Sequence, residues 1–509
     1  MFKHNCIFRL SFILSIAALS LSSLSKVHGQ SSDKLEAIDE IFSKYHEYEG
    51  FQGAVLVAER GKVIYREAFG LANREWNIPN QADSRYDIAS VSKQFTAMLV
   101  MQLYEEGKTH PDSTISSYYP EYRSDIARKV TIHHLLTHRS GIPNYTSIPY
   151  VWSDSLINRY SSDELVQKFC SGDLEFEPGS RYSYNNSGYF ILSVILEKVS
   201  GQSFAELLEE KILEPLHMNN TGLDQRASII DKRAYGYVQK NDQFENARPM
   251  YMANLQGAGN MYSTVDDLYR WDRALHEGKL LSAKGHREMT KAFSEESDTW
   301  ITPYKNSYGY GMGVAQVPGP RNKDIGMIFH SGHITGYSSF MARFVDDEHL
   351  VVLLSNLGEV STVRMNAIAQ EVKNVLYGLP YAVPKRSLKS MLFDTIRNEG
   401  IDAALQEYDQ LTAEFPYDYK DTSEALNELG KQLIASNMED EALEILRFNV
   451  KVNPNWKSYQ ILADAYYSRE GYEEAALLYR KSMDINPRSS QEEKKAFQTV
   501  RNLLSSLNQ

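Results

Sequence analysis

Ser90 and Lys93, in the run Tyr86-Asp87-Ile88-Ala89-Ser90-Val91-Ser92-Lys93-Gln94-Phe95, place a hydroxyl and an amine within one turn of chain. A serine hydroxyl attacks poorly until its proton is removed, and a lysine amine removes it only when held close and neutral. A helix beginning at Ser90 would put both side chains on one face. It would also turn free backbone N–H groups toward whatever the serine attacks. The pair alone is a weak signal, since Ser-x-x-Lys also occurs at Ser23–Lys26 and Ser31–Lys34, neither in a setting for a site.

Two later patterns add weight. Tyr184 and Asn186 form Tyr-x-Asn within Pro178-Gly179-Ser180-Arg181-Tyr182-Ser183-Tyr184-Asn185-Asn186-Ser187-Gly188-Tyr189. In an extended segment, residues two apart point to one side, so phenol and amide would face one cleft. His330-Ser331-Gly332-His333-Ile334-Thr335-Gly336 is expected to end a strand, where glycine lets a substrate approach the backbone. Each pattern has a decoy, Tyr304-Lys305-Asn306 and His276-Glu277-Gly278. Order and spacing of the three patterns therefore carry more than any one of them.

The elements that must position these residues are legible in outline. Residues 53–70 read as a hairpin turning at Glu59-Arg60-Gly61-Lys62. Ser90 to Glu106 has helical apolar spacing at Phe95, Met98, Leu99 and Leu103, and stops at Gly107. From about 110 to 290 the chain is rich in helices and loops. Strand-like runs return at Tyr308 to Val317, Met327 to His330, Tyr337 to Phe344 and Leu350 to Leu354, and a helix is expected from about Val360 to Leu376. This order predicts an α+β domain over 30–380: an antiparallel sheet built from both ends, flanked by helices, beside a mostly helical lobe. A cleft between sheet and lobe is the natural site.

Beyond Pro384 the texture changes. Phe415-Pro416, Asn453-Pro454 and Asn486-Pro487 each follow an acidic, alanine-rich helical run, the last two about 33 residues apart. Residues 385–509 are thus expected to form about three tetratricopeptide-like helical hairpins, with 489–508 as a cap. Such repeats offer a surface for a protein or peptide partner, or pack only within the protein.

Residues 1–29 read as a secretory signal peptide: Lys3 and Arg9, an apolar stretch from Leu10 to Leu24, then small residues before Gln30. Cys6 precedes the apolar run, which argues against a lipid anchor, and no later segment reads as transmembrane. A secreted or periplasmic location without a stable membrane anchor is expected. The formal net charge of −12 becomes more negative once Lys3, Arg9 and Lys26 leave, and argues against nucleic-acid binding. Of the two cysteines only Cys170 would remain, so no intrachain disulfide is expected and the thiol reads as buried filler. His134 and His138 lie four apart but lack the His-Glu-x-x-His form, so a structural helix is preferred to a metal site. No Gly-x-Ser-x-Gly elbow occurs, and Tyr308-Gly309-Tyr310-Gly311-Met312-Gly313 lacks the ending of a phosphate loop and reads as strand. No metal or cofactor is called for.

The three patterns, with Thr131-Ile132-His133-His134-Leu135-Leu136-Thr137-His138-Arg139-Ser140-Gly141-Ile142-Pro143 and Gly257-Ala258-Gly259-Asn260-Met261-Tyr262-Ser263-Thr264, resemble the serine β-lactamase and penicillin-binding-protein superfamily. The resemblance covers roughly residues 35–380 and lies on the class C-like, DD-peptidase and esterase side. It implies that Ser90 is acylated and that Lys93 and Tyr184 share general-base duty, each lowering the other's proton affinity. Which of the two is formally the base stays open. It implies further that Asn186 holds a substrate carbonyl or orients Lys93, that His330 and Gly332 line the cleft, and that the backbone N–H groups of Ser90 and His333 form the oxyanion hole. His330 stands where many β-lactamases carry lysine, so a fixed ammonium gives way to a mostly neutral imidazole.

The function this implies is an exported serine hydrolase that forms an acyl-enzyme on Ser90 and cleaves a small-molecule or peptide ester or amide, of the esterase or D-amino-acid peptidase type. A β-lactamase or penicillin-binding cell-wall enzyme is the alternative. A catalytically weak peptide-binding protein using its helical repeats is the second alternative.

Overall fold

Strand β1 (Gly53–Glu59) is buried at every position but its last, because apolar matter covers both faces of the sheet it joins. Alternation sends Ala54, Leu56 and Ala58 into one core and Val55 and Val57 into another. The computed structural model describes residues 32–507 except 49–50, 150, 152–154, 226–227, 241–242, 294–305, 359, 361, 415–421 and 487–490. The expected signal peptide lies outside the described residues. The chain divides into two compact units, one of Met1–Lys240 and Phe244–Pro384, the other containing Lys385–Gln509.

In the first unit β1 turns through Arg60 and Gly61, both at positive φ, into β2 (Lys62–Phe69). Such a turn matches the twist of the paired strands. Five further strands complete the sheet: β5 (Asn306–Tyr308), β6 (Gly313–Pro318), β7 (Asp324–Ile334), β8 (Tyr337–Phe344) and β9 (His349–Ser355). Their order is β5-β6-β7-β8-β9-β1-β2, antiparallel throughout. Two short strands, β3 (Tyr86–Asp87) and β4 (Met261–Ser263), pair apart from it.

One face of the sheet is covered by helix α1 (32–48) and helix α5 (Thr362–Tyr377), whose Ile38, Phe42, Ile368 and Val372 pack on Val55, Phe340 and Leu353. The other face meets the lobe. There α2 (Lys93–Glu105), α3 (Asn186–Ser200) and α4 (Val265–Glu277) contribute Phe95, Phe190 and Trp271 to the same core as Leu56, Val352 and Leu354, with α4 lying directly on β1 and β9. Trp271 stacks on Phe95 with ring centroids 4.3 Å apart. A buried ion pair, Arg343 Nε to Asp272 Oδ1 at 2.5 Å, ties β8 to α4. Breaking such a pair leaves an uncompensated charge and costs about 3–5 kcal/mol. This is the expected α+β architecture.

One departure of the structure from the sequence reading lies in the sheet beside the site. Tyr308 to Val317 is two strands, not one. The glycine-bearing segment between them turns, with Gly311 at φ +76. A Cβ there would lie 2.6 Å from the Lys93 carbonyl oxygen and 2.9 Å from Ala97 Cβ, so the turn presses on α2 where only glycine fits.

The second unit is helical: α6 (Leu388–Glu399), α7 (Ile401–Glu414), α8 (Thr422–Ala435), α9 (Glu439–Val452), α10 (Trp456–Ser468), α11 (Tyr472–Ile485) and α12 (Gln491–Leu507). Neighbours pack in sequence, α6 with α7, α8 with α9, α10 with α11, and α12 on α11. Leu426, Leu433 and Ile445 fill one core of this unit, and Leu462, Tyr479 and Val500 another. Among the described residues no helix is long and apolar enough to cross a membrane.

Candidate active site

Ser90 sits on a 3-10 turn, Ala89–Ser92, that feeds directly into α2. The α-helix itself starts at Lys93 rather than at Ser90, a correction that leaves the serine on a projecting turn, half-buried and reachable. Ala89 is at φ +45, an unfavourable region for any residue with a Cβ. Surrounding bonds hold it there: Ser339 Oγ donates to the Ile88 carbonyl at 2.7 Å, and Ser92 Oγ donates to the Ala89 carbonyl at 2.6 Å.

Lys93 is fully buried, and its amine has three neighbours at hydrogen-bond distance: Ser90 Oγ at 3.0 Å, Asn186 Oδ1 at 2.7 Å and the Ala258 carbonyl at 2.7 Å. Burial lowers its pKa well below the ordinary lysine value. A neutral amine has two N–H groups and one lone pair. The two carbonyl oxygens take the N–H groups, which leaves the lone pair for the Ser90 hydroxyl proton. The ammonium formed by accepting that proton finds the same three oxygens around it.

Tyr184 lies just before α3, half-buried with its hydroxyl turned inward, and Ser90 offsets part of what burial does to the phenol. Its ring centroid is 4.9 Å from Lys93 Nζ. Burial raises its pKa, so the phenol stays protonated. The lowering at Lys93 comes from burial and not from Tyr184, and Tyr184 is raised rather than lowered. Asn186 is the first residue of α3, not part of an extended run. Its amide is fixed at both ends, Oδ1 on Lys93 and Nδ2 donating to Thr146 Oγ1 at 2.7 Å. Of the two roles expected for Asn186, the structure displays contact with Lys93.

His330 is buried on β7, which runs on through Gly332 and His333 instead of ending at the triplet. Its Nδ1 lies 2.6 Å from the Ser331 carbonyl and must carry the proton, so Nε2 accepts from Tyr308 Oη at 2.8 Å. Burial first, then the nearby Lys93, push the imidazole down to about 3, and it is neutral across the physiological range. A Cβ on Gly332 would meet the Ile88 carbonyl oxygen at 2.2 Å and Ser339 Oγ at 2.3 Å. Glycine here lets β7 pass against the turn that carries Ser90. The His333 side chain is exposed, its Nδ1 3.5 Å from Ser338 Oγ.

Ser90, Lys93, Tyr184 and Asn186 are therefore brought together. Sequence reasoning did not single out Ala258, Thr146 or Tyr308. The Gly257–Thr264 run held the signal for Ala258: Thr96 Oγ1 donates to the Gly257 carbonyl at 2.7 Å and so holds that loop on α2. His138 lies beyond the short helix Ile132–Leu136, and its Nδ1 accepts the Asn185 N–H at 3.1 Å, which makes it a backbone clamp. His134 caps that helix with Thr131. Among the described residues no three His, Cys, Asp or Glu side chains converge as a metal ligand set. Cys170 is buried, its thiol pushed up to about 12 by burial, and it is inert filler.

Known proteins resemble the first unit in sequence and fold. The family model described as beta-lactamase matches residues 38–373. Penicillin-binding protein 4* of Bacillus subtilis (strain 168) is 33% identical over 373 residues, which cover 70% of this chain and 78% of that protein. The crystal structure of a penicillin binding protein from Bacillus halodurans superposes with a TM-score of 0.57 at 26% identity, covering 65% of this chain and 98% of that one. A D-amino acid amidase from Ochrobactrum anthropi SV3, complexed with L-phenylalanine, shares the fold with a TM-score of 0.59 at 24% identity, over 68% of this chain and 99% of its own.

Proposed function

The chain belongs to the beta-lactamase family, and we propose that it is an exported serine hydrolase that cleaves an ester or amide through an acyl-enzyme on Ser90. The observation that carries this reading is the Lys93 amine: buried, disposed to be neutral, and 3.0 Å from the Ser90 hydroxyl. Lys93 takes the Ser90 proton as Oγ attacks the substrate carbonyl. The backbone N–H groups of Ser90 and His333 hold the developing oxyanion. Losing one such donor typically costs about a hundred- to a thousandfold in rate. Tyr184, kept protonated, relays the proton from Lys93 to the leaving group. Water then attacks the acyl-enzyme, with the proton path reversed.

The neutral His330 favours substrates without the fixed carboxylate of a β-lactam, such as small esters or D-aminoacyl amides. A D-amino acid amidase among the structural neighbours is in keeping with that. The second reading, a penicillin-binding cell-wall enzyme, draws on the name of the Bacillus subtilis relative. Export draws on the signal-like residues 1–29. The helical hairpins of the second unit are proposed to be tetratricopeptide-like repeats open to a peptide or protein partner.

The test is a panel of p-nitrophenyl esters, D-aminoacyl amides and β-lactams, assayed beside Ser90→Ala. Turnover of esters or amides that the variant lacks supports the first reading. A stable penicillin adduct on Ser90 supports the second. A well-folded protein that turns over none of the panel and takes no fluorophosphonate label would refute both enzymatic readings and leave a binding role for the repeats.

A further inference from the structure

A cavity of about 480 Å3 lies in the first unit, within the size range of small-ligand sites. Its wall draws on both segments that frame the reacting centre. Asp87 belongs to β3, just ahead of the Ser90 turn, while Ile334 and Thr335 directly follow His333.

Asp87 is the unusual group in this wall. Its side chain is only 7% exposed, and its Oδ1 has no hydrogen-bond partner. An ionised carboxylate so buried is costly unless something pairs with it. The cation facing it, Arg233, has Nη2 3.9 Å from Asp87 Oδ1 but 2.6 Å from Oδ2 of Asp224, also buried in the same wall. One guanidinium is thus shared by two carboxylates and sits closer to the other one. Arg248 also lines the cavity but has interactions of its own. Tyr337 adds no charge, because burial keeps its phenol protonated. Burial and the Asp224 carboxylate together push Asp87 up to about 7, with Arg233 offsetting only part of the effect.

We propose that this cavity receives a primary ammonium group carried by the substrate, with Asp87 as its partner, so that amine-bearing acyl compounds are preferred over uncharged ones. An ammonium supplies the N–H donors that Asp87 Oδ1 lacks. Its methylene chain would lie along Met250 and Met252. A bare metal ion suits the site less well, since no three ligand side chains converge among the described residues. That the ammonium belongs to a substrate rests on the hydrolase reading. The cation site itself does not.

The test uses full-length Ser90→Ala protein, titrated by calorimetry at pH 8 with glycinamide, 3-aminopropanamide, 4-aminobutanamide and 6-aminohexanamide, each beside its N-acetyl form. At least one amine is expected to bind on the order of tenfold more tightly than its acetylated form, as a charge-assisted hydrogen bond provides. In Ser90→Ala/Asp87→Asn that melts cooperatively, at or above the temperature of Ser90→Ala, that preference is expected to vanish. No preference at any chain length, or a preference that survives Asp87→Asn, overturns the proposal. Wild-type hydrolysis of p-nitrophenyl esters separates the two ideas. Hydrolysis without amine preference sinks only the cation site, while amine preference without hydrolysis sinks only the hydrolase reading.

Discussion

His138 grips the backbone on both sides of Tyr184: its carbonyl accepts the Ser183 N–H at 2.8 Å, and its Nδ1 accepts the Asn185 N–H at 3.1 Å. The two rings lie 4.3 Å apart, and His138 reaches both bonds because its backbone is at φ +58. Tyr184 is therefore set by a residue that belongs to another segment of the lobe. His138→Leu removes the Nδ1 acceptor and leaves a buried N–H unpaired, which costs about 1–3 kcal/mol. Under the proposed role of Tyr184 as a proton relay that carries little ground-state binding, kcat is expected to fall by about tenfold or more, with KM little changed. Steady-state kinetics beside thermal melts will separate this from simple unfolding.

With Lys93 as the proposed general base, its protonation is expected to set the acid limb of the pH profile. With its pKa lowered by burial, kcat/KM is expected to rise with pH through an inflection well below the ordinary lysine range. Asn186→Asp puts a carboxylate where Oδ1 now lies 2.7 Å from Nζ, and an opposite charge there favours the ammonium. The acid limb should move to higher pH in that variant. His330, pushed down to about 3, should contribute no inflection between pH 5 and 9, a range set by the assay about the unperturbed imidazole value.

Gly332→Ala tests how closely β7 must pass the nucleophile turn. The new Cβ would meet the Ile88 carbonyl oxygen at 2.2 Å, and that atom is main chain. Strand and turn must separate, so a loss of about 1–3 kcal/mol in stability is expected, together with slower acylation. Removing the Ser339 hydroxyl as well should not restore the rate, since the Ile88 clash remains.

Asp87 makes stability depend on pH in a stated direction. Its folded pKa of about 7 lies above the ordinary 3.8, so the folded state binds this proton more tightly than the unfolded one. The contribution is fully present below about pH 4 and is lost as pH rises through 7. Asp87→Asn should therefore gain in melting temperature over wild type at pH 8, with the difference fading toward pH 4. Parallel melting curves across that range would contradict the assignment.

Much of this site could be read from residue types and spacing. The i to i+3 relation of Ser90 and Lys93 survives the change from α-helix to 3-10 turn, because both keep those side chains on one side. Tyr184 and Asn186 converge even though Asn186 opens a helix. What stayed hidden consists of backbone and tertiary partners. The Ala258 carbonyl carries no side-chain label, and the Thr146 and Tyr308 hydroxyls gain meaning only once loop 143–146 and strand β5 fold against the cleft. The alternating tyrosines and glycines from Tyr308 to Gly313 imitate strand periodicity, yet the glycines serve a turn against α2. Fold class was legible because β1 and β9 are apolar on both faces, which requires cover on each side of the sheet.

The proposed chemistry requires that Ser90 be acylated by way of a neutral Lys93. Intact mass measured after mixing with p-nitrophenyl acetate, followed by peptide mapping, addresses that step directly. A single acetyl adduct on Ser90 is expected in wild type, absent in Ser90→Ala and absent in folded Lys93→Arg, whose guanidinium stays protonated. An adduct of equal yield in Lys93→Arg, or acetyl found on another residue, would contradict it.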